Sequence, residues 1–125
     1  MNNILDANVI LRYLLDDVAE QADAAEKAIR EGAICLPEVL AEVVYVLDGV
    51  YKCSRSEIAA TLQNFLEEIE MEHKAAAVYA LRLYGKTKLD FVDCLLAARA
   101  KVLGENIITF DKDLIKAIGR ELPER

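Results

Sequence analysis

What this sequence lacks narrows its class before any motif is considered. No apolar run approaches the roughly 20 residues that a helix needs to cross a bilayer, so no membrane span is expected. The opening MNNILDANVILRYLLDD has no basic leader and carries Asp6 inside its apolar stretch, which is not the pattern of a secretory signal. Proline is nearly absent, with Pro37 and Pro123 the two occurrences, and there is no linker-like tract, internal repeat or low-complexity segment. With 125 residues, this reads as one domain covering residues 1–125. There is a single histidine, His73, and the three cysteines (Cys35, Cys53 and Cys94) form no CxxC pair. That argues against a zinc site and points to reduced, mostly buried thiols in a cytoplasmic protein.

Positive charge is also short overall. The formal net charge is −7, the wrong sign for a protein that simply coats nucleic acid. The imbalance is uneven, however. Residues 1–81 hold 15 acids against 6 bases, whereas residues 82–125 hold 7 acids against 9 bases. On charge alone, a solvated acidic surface with ordinary scatter explains this better than a binding face does.

What is present is an alternation of short apolar runs with longer amphipathic ones. Residues 3–6 read as a first strand, 9–15 as a short helix and 17–30 as an Ala- and Glu-rich helix stopped by Gly32. Residues 33–36 read as a second strand. Pro37 then opens a helix over 38–51, since proline is tolerated at a first helical position. Ser54 and Glu57 form a capping-box signature for a helix to about residue 68. A weak third strand over 69–72 precedes a helix over 74–84 ended by Gly85, and a further helix covers 90–103 up to Gly104. Asn106-Ile107-Ile108-Thr109-Phe110 has strand propensity, and residues 111–118 close the chain as a helix ended by Gly119. Strands alternating with helices imply an α/β protein with a parallel sheet covered on both faces.

Such sheets bind ligands beyond the carboxyl ends of their strands, which singles out certain acids. Asp6 closes the first strand and Asp111 directly follows the last. Glu42 and Asp93 lie early in helices, each inside an apolar run. An isolated buried carboxylate is costly, and no histidine and few bases stand near to pair with it. Two carboxylates about 5 Å apart repel by about 3 kcal/mol at an effective dielectric of 20, so four would not stay ionised together without a counter-charge. Oxygen-only donors select a hard divalent cation, Mg²⁺ or Mn²⁺. One or two such ions suit phosphodiester hydrolysis without a nucleophilic side chain.

Each acid has a plainer reading as well. Asp6 and Asp111 could be helix N-caps, Glu42 could share a solvated face with Glu38, and Asp90 could cap a helix in which Asp93 favours the dipole. Asn8 reads equally as a turn residue or a group orienting Asp6, and Thr109 as a strand residue or a supporting hydroxyl. A phospho-accepting receiver domain would need an Asp after a middle strand, where Leu36-Pro37 offers none. A phosphatase with an Asp nucleophile would want Asp in place of Asn8.

Taken together, Asp6-Ala7-Asn8-Val9-Ile10-Leu11-Arg12, the segment around Ala41-Glu42-Val43, Leu89-Asp90-Phe91-Val92-Asp93-Cys94 and Ile108-Thr109-Phe110-Asp111-Lys112-Asp113 resemble the four acidic motifs of PIN-domain proteins, especially VapC-like toxins, in the right order along almost the whole chain. Ala7 departs from the pattern, standing where many members carry Thr or Ser. The resemblance implies a three-layer α/β/α sandwich with a four- or five-stranded parallel sheet. It carries the metal ligands and catalytic acids onto Asp6, Glu42, Asp93 and Asp111, with Asp90 auxiliary. It further implies an endoribonuclease using one or two Mg²⁺ or Mn²⁺ ions, a homodimer, and inhibition by a VapB-like antitoxin. Arg12, Lys86, Lys88, Lys112 and Lys116 are the candidates to meet RNA phosphates. The competing expectation is a PIN-like module that binds partners without catalysis.

Overall fold

Two short strands and seven helices form within residues 3–122, the part of the chain that the computed structural model describes. These residues divide into two compact units. One comprises residues 3–53 with Asn64–Glu72, and the other Ser54–Gln63 with residues 73–122.

In the first unit β1 (Asn3–Ile4) pairs in parallel with β2 (Ala33–Ile34). The Asn3 N–H donates to the Gly32 carbonyl at 2.8 Å and the Leu5 N–H to that of Ile34 at 3.0 Å. The other edge of β2 is met by Glu70 alone, through a parallel bridge to Ile34 closed by Cys35 N–H to Glu70 C=O at 2.9 Å and Glu70 N–H to Ala33 C=O at 2.8 Å. Around these strands lie α1 (Ala7–Leu15), α2 (Ala19–Arg30) and α3 (Pro37–Gly49), with α1 packed on both of the others. Each buries a helical stripe: Ala7, Ile10 and Leu11 on α1, Ala22, Ala25 and Ile29 on α2, Leu40, Val43, Val44 and Leu47 on α3. Pro37 occupies the opening turn of α3, as its fixed φ favours.

The second unit holds most of α4 (Arg55–Leu66), α5 (Lys74–Lys86), α6 (Phe91–Leu103) and α7 (Lys112–Gly119), with α6 packed on α5 and α7. The capping box forms as expected: Ser54 N–H donates to Glu57 Oε1 at 3.0 Å, and Glu57 N–H donates to Ser54 Oγ at 3.2 Å. Gly104 ends α6 in the left-handed region at φ 70°, a conformation a Cβ disfavours. Gly85 does not end α5, which continues to Lys86. A Cβ at this position would lie 2.9 Å from that of Ala59, so the glycine lets α5 approach α4 closely.

The sheet is narrower than the expected four or five strands. Among the described residues it has two, plus the bridge at Glu70 in place of a strand over 69–72. Residues 106–110 carry no strand, and Ile108 and Phe110 are 82% and 97% exposed. The reason is physical: strand preference expresses packing and ladder pairing more than an intrinsic backbone bias, and β-branched composition cannot supply a ladder partner. A fifth strand is not formed by Arg120–Leu122, and residues 123–125 lie outside the described part.

Candidate acidic site

The candidate residues fall in both units. Asp6, Asn8, Arg12 and Glu42 lie in the first; Lys86, Lys88, Asp90, Asp93, Thr109, Asp111, Lys112 and Lys116 lie in the second.

In the first unit Asp6 is the N-cap of α1. Its Oδ1 accepts the Val9 N–H at 2.9 Å, so the capping role is realised, while Oδ2 accepts nothing among the described residues. Asn8 is exposed on α1, in a shallow groove with Val9 and Arg12. Arg12 is engaged internally. It donates to Asp17 and to the Tyr51 hydroxyl, both at 3.0 Å, and its Nε is buried without a partner among the described residues. Reaching a phosphate would require it to release Asp17 and Tyr51. Glu42 is exposed although Ala41 and Val43 on either side are buried. The rotation of about 100° per helical residue turns it outward, so burial does not demand a partner for it.

In the second unit the acids gather around the start of α6 and α7. Asp90 stands at the N-cap position of α6 and Asp93 at the third helical position, half-buried. The Asp93 carboxyl is held above the usual carboxylate range by burial first, and then by the negative charges of Asp111 and Asp90. Asp111 caps α7: its Oδ1 accepts the Asp113 N–H at 2.9 Å and the Leu114 N–H at 3.1 Å. Thr109 supports it, its hydroxyl accepting the Asp111 N–H at 3.0 Å. The Oδ2 of Asp111 is left without a hydrogen bond among the described residues. Lys112 stands exposed at the first position of α7. Lys86, Lys88 and Lys116 line one cleft of this unit.

Among the described residues no three Asp, Glu, His or Cys side chains are gathered closely enough to chelate an ion by themselves. The donor chemistry nonetheless fits a hard divalent cation. Asp93 and Asp111 both offer oxygen, and a positive ion beside Asp93 would offset its burial first and then the like charge of Asp111 and Asp90.

Sequence reasoning missed three contributors. Arg55, which no motif marks, donates through Nε to the Tyr84 carbonyl at 2.9 Å and through its terminal nitrogen to that of Leu89. Its guanidinium lies 3.7 Å from the Tyr84 ring centroid. Thr87 and Arg120 carry no motif and emerge from three-dimensional placement alone.

The PIN domain matches residues 4–120, a range with residues in both units, and the chain belongs to the PIN-domain family. Within that family it is VapC-like. It is 29% identical over 118 residues, 87% of each chain, to the VapC ribonuclease of Aquifex aeolicus (strain VF5). No solved structure matches it. No helix among the described residues is long and apolar enough to cross a membrane.

Proposed function

We propose that this chain is a metal-dependent endoribonuclease, the toxin of a toxin–antitoxin pair, working as one PIN domain and as a homodimer held in check by a VapB-like antitoxin. The observation that carries the reading is the Asp93 carboxyl, half-buried on α6 and burdened by the charge of Asp111 and Asp90. A cation there would offset both the burial and the neighbouring negative charge. The likeness to a protein named VapC ribonuclease supports the choice of RNA.

In this reading Asp93 and Asp111 hold the ion in the second unit, and the family likeness adds Asp6 and Glu42 as further metal and catalytic candidates. The Oδ1 atoms of Asp6 and Asp111 stay on their helix starts, so each presents Oδ2 from a fixed carboxylate. Thr109 keeps Asp111 in register through its backbone N–H. When bound, Mg²⁺ or Mn²⁺ supplies charge stabilisation for the phosphoryl group and lowers the pKa of water. Cleavage then leaves a 5′-phosphate and a 3′-hydroxyl.

The test is incubation of the purified protein with total RNA in Mn²⁺, then with chelator, alongside Asp6→Asn and Asp93→Asn. Cleavage is expected with the ion, none with chelator, and none in either variant. Full activity in both variants sinks the assignment. Intact RNA under all conditions, from protein freed of any bound partner, would favour the non-catalytic module.

A further inference from the structure

We propose that the cleft between the end of α5 and the flank of α7 seats a single-stranded RNA segment next to the acids of the second unit. The substrate class rests on the ribonuclease reading above. The cleft has a volume of about 650 Å³, within the range of small-ligand sites. Lys86, Lys88, Lys116 and Arg120 line it against two carboxylates, Asp113 and Glu121. Among the described residues none of these four cations is drawn into an ion pair. On a chain of net charge −7, a cluster of uncommitted cations is a local reversal of sign that favours a polyanion here and disfavours it elsewhere.

The floor and wall supply the second half of the recognition. Leu83, Leu89 and Ala117 make the surface apolar, and Tyr79 adds an aromatic side chain. Cations beside an apolar and aromatic surface suit unstacked nucleotides, whose bases need a flat partner while their phosphates need charge. A duplex hides its base faces and would use only the charges. From Asp113 to Arg120, α7 advances by about 10 Å, room for one or two nucleotides. One end of the cleft adjoins the acids: Leu89 precedes Asp90, and Asp113 donates its N–H to Asp111.

The cationic loop is also held in place before any ligand arrives. The Thr87 hydroxyl donates to the Leu83 carbonyl at 2.8 Å and accepts the Leu89 N–H at 3.3 Å. Arg55 fastens the Tyr84 and Leu89 carbonyls on either side. Lys86 and Lys88 therefore project from a backbone with little freedom left to lose on binding.

The test uses fluorescence anisotropy with a labelled single-stranded RNA of about eight mixed-sequence nucleotides. The full-length Asp93→Asn chain serves as the background, so that cleavage does not intervene. Lys86→Gln with Lys88→Gln, and Lys116→Gln with Arg120→Gln, are each expected to weaken binding about tenfold and reduce the salt slope by about 0.7, the contribution of one phosphate on a single strand. Tyr79→Ala should cost about fivefold or more, and Lys27→Gln on α2 should change nothing. Thermal unfolding of each variant checks that it is folded. RNA binding that survives both paired replacements, or no RNA binding by any folded form, overturns the cleft. So does binding of poly-L-glutamate through the same four cations in preference to RNA, which would make the cleft a protein-partner site. The wild-type cleavage assay is scored separately: cleft-dependent binding without cleavage retains this inference and removes the nuclease reading.

Discussion

Asp93 is the residue where structure and chemistry are most tightly joined. Its raised carboxyl means that the folded chain holds the proton more firmly than the unfolded chain does. As pH climbs from the ordinary carboxylate range through the raised value, ionisation therefore costs folding stability, and the protonated form is the one the fold favours. Asp93→Asn removes that cost. In metal-free protein the variant should match wild type at low pH and become the more stable of the two above this window, as measured by thermal unfolding across pH. A loss above about 2 kcal/mol in the variant would instead mark Asp93 as a structural partner. Glu57 runs in the opposite sense. The Ser54 N–H and then the Ser54 hydroxyl lower its carboxyl, so its contribution is present above the ordinary range and fades as pH falls through the lowered value.

Among the elements, the helices and the first two strands were legible in the sequence, and the later strands were not. Start and stop signals are local: Pro37, the Ser54–Glu57 pair and Gly104 each act on the backbone beside them, and each appears where the sequence places it. A strand depends on a partner far away in sequence. Residues 106–110 have the composition of a strand but no ladder, and residues 69–72 contribute one bridge. Gly85 shows the same limit from the other side. Its sequence context reads as a stop, whereas its position against Ala59 is a matter of tertiary contact. Gly85→Ala should lose about 1–3 kcal/mol by overpacking, measured by denaturant unfolding. Ala59→Gly in the same chain should recover much of the loss if the two Cβ atoms are the cause. Of the site, the acids and three of the four cleft cations could be read from motifs and charge, because their chemistry is carried by residue type. Tyr79, Arg55 and Arg120 could not, since nothing near them in sequence marks the carbonyls or the cleft they face.

For the whole molecule, the three cysteines provide a gauge of cooperativity. Cys35 lies buried in the first unit and Cys94 in the second, and burial pushes each thiol up to about 12. Thiolate is the reactive form, so neither should be modified quickly in the native state at neutral pH. Cys53 is only partly covered and should react first. If the chain behaves as one domain, as proposed, Cys35 and Cys94 become reactive at the same rate when followed individually by mass spectrometry in mild denaturant. A clear separation of the two rates would mean that the units open independently.

The paired duties of Asp6 and Asp111 affect how any mutational survey of this chain should be interpreted. Each carboxylate ties down a helix start with one oxygen while the other remains available. An alanine scan would remove both roles together, and a dead variant would not reveal whether folding or chemistry had failed. Asparagine retains the acceptor oxygen and discards the charge, so at these two positions the gap between the amide and the methyl substitution measures the helix start alone.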